Sequence, residues 1–380
     1  MTTDSSSPSP VTFPNFNPTP GRSAYYDQQR LTWHVFRYTQ VQRVLSDYTT
    51  FSSNRGKLDP EDRGANAASL LDLDPPRHRQ LRSLVAQAFT PRMVATFDSH
   101  IVRLTHNLLD AVIDRGEMDI VSDLAAPLPL SVISEMLGVP TSDHRQLMEW
   151  SVASAPLTTS EALKARAATM DYFTTLVEQR RQQPGQDLIS ALIAAQIDGE
   201  HLTSFEIVSF CRLLHIAGND TTKYWIGNTM ACFDQYPDAL AQVQENPDLL
   251  PTALEEVLRY LPPVAKFPRV AAVDTVVDEQ EIKAGQWVLA HMESANREET
   301  YFSDPDTFDI RRNPNRHLTF GHGIHFCIGA PLARLEAKTA LRVMFERLRE
   351  IKRVPEVPLE PIITPLNYGF KRLPITFKRK

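Results

Sequence analysis

Cys327 stands where an irregular, glycine-containing stretch gives way to good helix formers, in the run Phe320-Gly-His-Gly-Ile-His-Phe-Cys-Ile-Gly-Ala-Pro-Leu-Ala-Arg334. Gly321 and Gly323 give the backbone the freedom a tight loop needs, and the helix expected from Ala330 onward would present unpaired N–H groups and a positive dipole end towards the sulfur. Both favour thiolate over thiol. Pro331 suits the first helical turn, where a missing donor costs nothing. Three readings of the cluster stand on residue types alone. With His317, His322 and His325 the cysteine could form a zinc site, although the spacing is not that of a finger and no second cysteine is near. Gly321-x-Gly323 could begin a dinucleotide loop, but Phe326 occupies the place of the third glycine. A lone thiolate could also be an axial ligand to haem iron. A free cysteine with none of these roles is an inert small hydrophobe.

Other residues could do chemistry at a distance in sequence. Ala217-Gly218-Asn219-Asp220-Thr221-Thr222 interrupts an otherwise apolar helical stretch. A threonine there can bond the carbonyl four residues back, that of Ala217, and with Gly218 bend or open the helix. The opening would leave a hydroxyl and a carboxyl beside a small cavity, a fit for binding a diatomic molecule and passing it protons. On the bland reading the same residues face solvent. Glu256 and Arg259 are three apart on one helix face, the spacing of an ion pair. His78 and Arg82 stand at i and i+4 after two prolines, a basic stripe that could meet an anion.

These residues need elements to hold them. Helical periodicity dominates from about residue 75 to 260, with helices expected over 97–113, 161–183 and 203–233, the last beginning on a Ser/Thr start signal. Strands are expected over 32–36, 270–277 and 286–290, and residues 296–315 read as a loop rich in Pro, Asp and Arg. The class is mainly α with a smaller β-rich portion. Residues 1–21, rich in Ser, Thr and Pro, read as a flexible arm, and 22–380 as one catalytic domain. With 380 residues, 42% of them hydrophobic, the chain can bury a large core. Three cysteines without a pairing pattern suit a reducing compartment, and the start of the chain lacks the basic flank and apolar run of a signal peptide. No stretch is long and apolar enough for a membrane span, so a cytoplasmic location is expected. A net charge of −6 gives no electrostatic reason to expect nucleic acid.

The run from Phe320 resembles the haem-binding loop of the cytochrome P450 family, Phe-Gly-x-Gly-x-His-x-Cys-x-Gly, with Phe320, Gly321, Gly323, His325, Cys327 and Gly329 all matching. Ala217-Gly-x-Asp-Thr-Thr222 resembles the family's oxygen-activation motif, Glu256-x-x-Arg259 its K-helix signature, and Asp74-Pro-Pro-x-His78-x-x-x-Arg82 its C-helix segment. The likeness runs from about Tyr25 to Pro374. It implies the P450 fold, with haem b between a long central helix and the Cys-loop helix. It also implies Cys327 as the metal ligand, with Phe320, Gly329, His78, Arg82, Arg269 and His325 around the cofactor. Ala217 and Gly218 would form the oxygen groove, Asp220 and Thr221 the proton-delivery pair, and Arg312 the third partner of Glu256 and Arg259.

The activity so implied is a monooxygenase that inserts one atom of O2 into a hydrophobic or amphipathic small molecule. Electrons would come from a separate ferredoxin or flavodoxin-type donor with its NAD(P)H reductase, docking near Cys327 on a face carrying Arg316, Arg334 and Lys338. Alternatives on the same fold are a peroxygenase driven by H2O2, against which the intact Asp220-Thr221 pair argues, and a non-catalytic haem-binding or recruitment protein. The pocket is expected to be lined by Leu213, Ile216, Ala217, Val264, Ala265 and Tyr368, and by the loop 54–73. In that loop Lys57, Glu61 or Arg63 could select a polar substrate end.

Overall fold

The computed structural model describes residues 23–54, 69–154, 159–197 and 199–380. The expected arm and the charges at Lys57, Glu61 and Arg63 lie outside them. The helices that bear on the site are, in chain order, α1 Tyr38–Ser46, α2 Arg77–Ala88, α3 Pro127–Met136 and α4 His144–Ala153. They are followed by α5 Ser160–Gln182, α6 Ser204–Gln235, α7 Leu250–Tyr260 and α8 Ala330–Arg347. Five strands, β1 Ala24–Asp27, β2 Thr32–Val35, β3 Phe51–Ser52, β4 Lys266–Ala271 and β5 Trp287–His291, form one sheet in the order β1-β2-β5-β4-β3. Only β5 and β2 pair in parallel. Alternation directs Trp33, Val35, Val288 and Ala290 towards α1, where they join a small apolar core. A hairpin of β6 Pro361–Ile363 and β7 Tyr368–Phe370 lies further on.

Helix α6 runs for 32 residues through the larger core and packs against α3, α5, α7 and α8. It starts on a capping box. Thr203 accepts from the Glu206 N–H, and the Glu206 carboxylate accepts in turn from the Thr203 N–H at 2.9 Å, a device worth about 1 kcal/mol. The helix is uninterrupted, so the expected opening at Ala217 to Thr222 is not a break. The back-bond itself is present: the Thr221 hydroxyl donates to the Ala217 carbonyl at 2.8 Å. A hydroxyl can take up a second lone pair of that carbonyl without displacing the helical N–H.

The strand expected over 270–277 is two strands, β4 and a short one, Thr275–Val277. Asp274 divides them, because its carboxylate accepts from the Ala284 N–H at 2.9 Å and from Lys283 at 3.2 Å and turns the chain. Residues 296–315 contain no helix or strand, as expected.

What holds that long loop is a buried charge network on α7. Glu256 and Arg259 are both fully buried and joined by two 2.8 Å bonds. Arg259 also donates to the carbonyls of Asn296, Pro305 and Thr307 at 2.7–3.0 Å. Arg312 reaches the Glu256 carboxylate at 3.1 Å, which further accepts from the Asp309 N–H and from Asn315. Removing one partner would strand a buried charge. Arg259→Ala is therefore expected to lower stability by about 3–5 kcal/mol, read by equilibrium denaturation. A loss below about 1 kcal/mol, the value of a surface pair, would show that the network does not anchor the loop.

Candidate functional site

The loop before α8 is shaped by two glycines with positive φ, Gly321 at 76° and Gly323 at 71°. A Cβ on Gly323 would fall 2.8 Å from Cα of Ser46 at the end of α1, so the loop can lie on α1 only with glycine there. The Cys327 N–H donates to the Phe320 carbonyl at 2.8 Å and closes the loop. Sγ faces a cavity with about 1400 Å³ of empty space, its mouth included. On another wall of the same cavity stand Leu213, Leu214, Ala217, Gly218 and Thr221 of α6. Gly218 lets α6 approach α3, since a Cβ there would collide with Ile133 at 2.1 Å.

Among the described residues, Arg82, Arg269 and Glu336 are the only members of the charged residue types on the cavity wall. Arg82 donates to the Phe326 carbonyl, and Arg269 lies almost fully buried over the Phe267 ring, 5.1 Å from its centroid. His325 shares a 3.0 Å bond with Ser53, and its ring lies 4.2 Å from that of His78. Burial, then the neighbouring guanidiniums, push His325 down to about 3. Burial and Arg82 push His78 down to about 4, against the pull of Asp74. Both rings are neutral near pH 7, and the buried His78 Nε2 has no hydrogen-bond partner among the described residues.

The thiol departs from the expectation of a low pKa. Burial pushes Cys327 up, outweighing the opposing N–H groups of Gly329 and Ala330 and the guanidiniums of Arg82 and Arg334. A helix start in apolar surroundings does not make a thiolate by itself. The zinc arrangement is not formed either: His317 bonds Glu255, His322 bonds Gln42 and His325 bonds Ser53. No three candidate ligands converge among the described residues.

Ile216, Ala265 and Tyr368 do not line this cavity, whereas Leu213, Ala217 and Val264 do, together with Leu70 and Leu71 of the loop 54–73. The Leu366 to Phe370 turn is pressed onto α6 instead: a Cβ on Gly369 would lie 2.3 Å from the Tyr224 ring, and the Tyr368 carbonyl accepts from Asn228. Ala265 is buried with its backbone bonded to Leu366 and Glu293. Ile216 is rotated one residue off the stripe that carries Ala217.

Relatives that share this arrangement of the chain can be named. A model of the family "Cytochrome P450" matches residues 133–378. The cyclomarin C epoxidase of Salinispora arenicola is 41% identical over 358 residues, 91% of this chain and 90% of that protein. The chain belongs to the cytochrome P450 family. Among solved structures, substrate-free CYP109E1 from Bacillus megaterium superposes with a TM-score of 0.91 at 38% identity, covering 95% of this chain and 96% of that one. The same protein in complex with corticosterone gives 0.87 at 39%, covering 94% and 95%. As a cytochrome P450, the protein is a haem-dependent monooxygenase that uses O2, takes electrons from a separate redox partner and acts on a small molecule. No helix among the described residues is long and apolar enough to cross a membrane.

The residues present fit a haem. The cavity offers one thiol, an apolar slot and two guanidiniums, with an imidazole nitrogen beside them that lacks a partner among the described residues. That set suits an iron ligand, a flat hydrophobic ring and anionic propionates.

Two neighbours escaped the sequence reading. Asp220 is paired with Lys223 at 2.6 Å, on its own helix. Glu336 of α8 is fully buried at the cavity wall; the Thr222 hydroxyl bonds it, and its Oε1 has no partner among the described residues. One signal was available: Glu336 stands in the stripe of Leu332 and Ala340, four residues from each. Burial pushes Glu336 from 4.5 up to about 8, with Thr222 opposing, so it is neutral in the folded protein near pH 7. The unfolded chain releases this proton above about pH 4.5 and the folded chain only near 8. Folding is thus penalised increasingly between those values, at up to about 1.4 kcal/mol per pH unit. Glu336→Gln is expected to gain stability relative to the parent as pH rises from 5 to 8. A pH-independent difference in unfolding free energy would mean that Glu336 is ionised in the fold.

Proposed function

We propose that Cys327 is the proximal thiolate ligand of a haem b and that this P450 oxygenates a hydrophobic or amphipathic small molecule, by hydroxylation or epoxidation. One observation carries the reading: Cys327 and the Ala217 to Thr221 turn line one apolar cavity whose only charged groups near neutrality, among the described residues, are Arg82 and Arg269. Arg82, Arg269, His78 and His325 would meet the propionates, with Phe320 and Gly329 packed at the ring's edge. The haem, when bound, supplies oxygen activation and the electron transfers.

The chain's own contribution is placement and proton handling. Ala217 and Gly218 leave room beside α6 for a diatomic. Thr221, back-bonded to Ala217, keeps its hydroxyl oxygen at the cavity wall. Asp220 holds the acid function one residue earlier, with Lys223 fixing its carboxylate. Leu70, Leu71, Phe89, Val264 and Phe267 exclude water from the reacting face. Glu256, Arg259 and Arg312 act structurally, through the loop.

The size and apolar character of the cavity support a substrate of the class handled by the relatives, one of which epoxidises cyclomarin C and another of which was solved with corticosterone. The electron donor is a ferredoxin or flavodoxin-type protein with its NAD(P)H reductase. It would dock over the exposed Arg316 and Lys338, while Arg334 is engaged by Glu255 at 2.7 and 2.8 Å. That pair, with His317, holds Glu255 down at about 2 despite its burial. The catalytic unit spans 22–380, preceded by an arm at 1–21, and works in the cytoplasm.

The ferrous CO adduct of the purified protein is expected at the long wavelength of thiolate-ligated haem, and Cys327→His should move it to the globin-like position. A globin-like spectrum in the parent would end the assignment. Thr221→Ala should divert electrons from product to peroxide, lowering coupling on the order of 10-fold. Unchanged coupling would remove Thr221 from proton delivery.

A further inference from the structure

Helix α6 has a second polar face that the site does not use. His215 and Asn219, four residues apart, lie on one stripe turned away from the cavity, 1% and 6% exposed. They face the seam between α4 and α5. The His215 ring is 6.0 Å from that of Phe173 on α5, and the Leu147 carbonyl of α4 lies beside it without completing a bond. One turn along α4, Ser151 accepts from the Asn219 amide at 3.2 Å. Three buried polar atoms in this seam have no hydrogen-bond partner among the described residues: both ring nitrogens of His215, and Oδ1 of Asn219. Turning the Asn219 amide over only exchanges which of its atoms is left over.

An orphaned buried atom costs about 1–3 kcal/mol, and three within one helical turn are rare unless something fills the space between them. An apolar filler would leave all three unsatisfied. Water, which needs two to four polar partners, satisfies them together. Asn219 is followed directly by Asp220, and His215 is close enough to feel the Asp220 charge. The seam therefore borders the turn of α6 that carries the acid the proposed function uses.

We propose that His215, Asn219 and Ser151 hold a buried water site between α4, α5 and α6 that resupplies protons to Asp220, which makes His215 a positioning residue for the oxygenation reaction. The role rests on the assignment of Asp220 above; the water site does not. The proton balance is simple. When Asp220 gives up its proton on the Thr221 side, a seam water donates one to the carboxylate and takes one from the next water in line. The deficit passes outward to solvent. His215 stays neutral throughout, donating from one ring nitrogen and accepting at the other, as its burial requires.

The test is a high-resolution crystal structure of the haem-loaded protein together with coupling measurements on His215→Leu and His215→Gln. Expected are at least one ordered water within hydrogen-bond distance of both His215 and Asn219, and its loss in His215→Leu. The peroxide share of consumed electrons should rise at least about threefold in His215→Leu, a fraction of what a full general acid supplies, with recovery in His215→Gln, which can still hold water. If His215→Leu fails to fold, Asn219→Leu reads the same two quantities. A dry seam, with His215 bonded directly to Asn219, overturns the site. Water lost without a change in coupling overturns the role. Failure of the haem-thiolate spectrum would sink the proposed function while leaving the crystallographic result standing on its own.

Discussion

A carboxylate and two guanidiniums with almost no access to water set the terms for everything around Cys327. Glu256 cannot keep its charge at zero exposure unless its lone pairs are filled, and they are, by Arg259, Arg312, Asn315 and the Asp309 N–H. The donors left on the two arginines then reach the carbonyls of Asn296, Ser303, Asp304, Pro305 and Thr307. Those carbonyls belong to a segment without regular structure, which on its own would have nowhere to place its backbone groups. One buried ion cluster thus gives about twenty irregular residues a fixed path. Asn296 extends the effect towards the cysteine loop, bonding the Leu318 N–H and the Thr319 hydroxyl.

Helix α6 divides the molecule's chemistry by its faces. Small residues at 217 and 218 hollow the face turned to the cavity and bring α3 close. The opposite face keeps His215 and Asn219 in a polar seam, and the acid at 220 lies between the two. A helix of 32 residues packed on several others is a rigid ruler for such a division. Across the cavity, α8 contributes apolar wall at Leu332 and Ala333 and one neutral carboxyl at Glu336.

Much of this was legible in the sequence where local patterns decide. The boundaries of α5 and α6 followed from periodicity and a capping threonine, and the glycines before Cys327 announced the loop that positive φ confirms. Relations across the chain were not legible. Spacing could not tell that the turn at Tyr368 lies against Tyr224 and leaves the cavity to Leu70 and Phe89, because that depends on the docking of a hairpin far along the chain. Nor could a rule about helix starts weigh desolvation against two N–H groups, and at Cys327 desolvation is the larger. Lys223 reads locally as one more surface cation; only the rotamers show it closing on Asp220.

That closure has a consequence for how such an enzyme can diversify. Asp220 and Lys223 ride on one turn of one helix, so their separation is set by helical geometry and not by the position of any neighbour. Rearrangement of α4 or α5, or of the loop around Leu70, would reshape the chamber while carrying the acid and its counter-ion along unchanged. Lineages of this chain could therefore explore new substrates through those walls without retuning the charge beside Ala217 and Gly218.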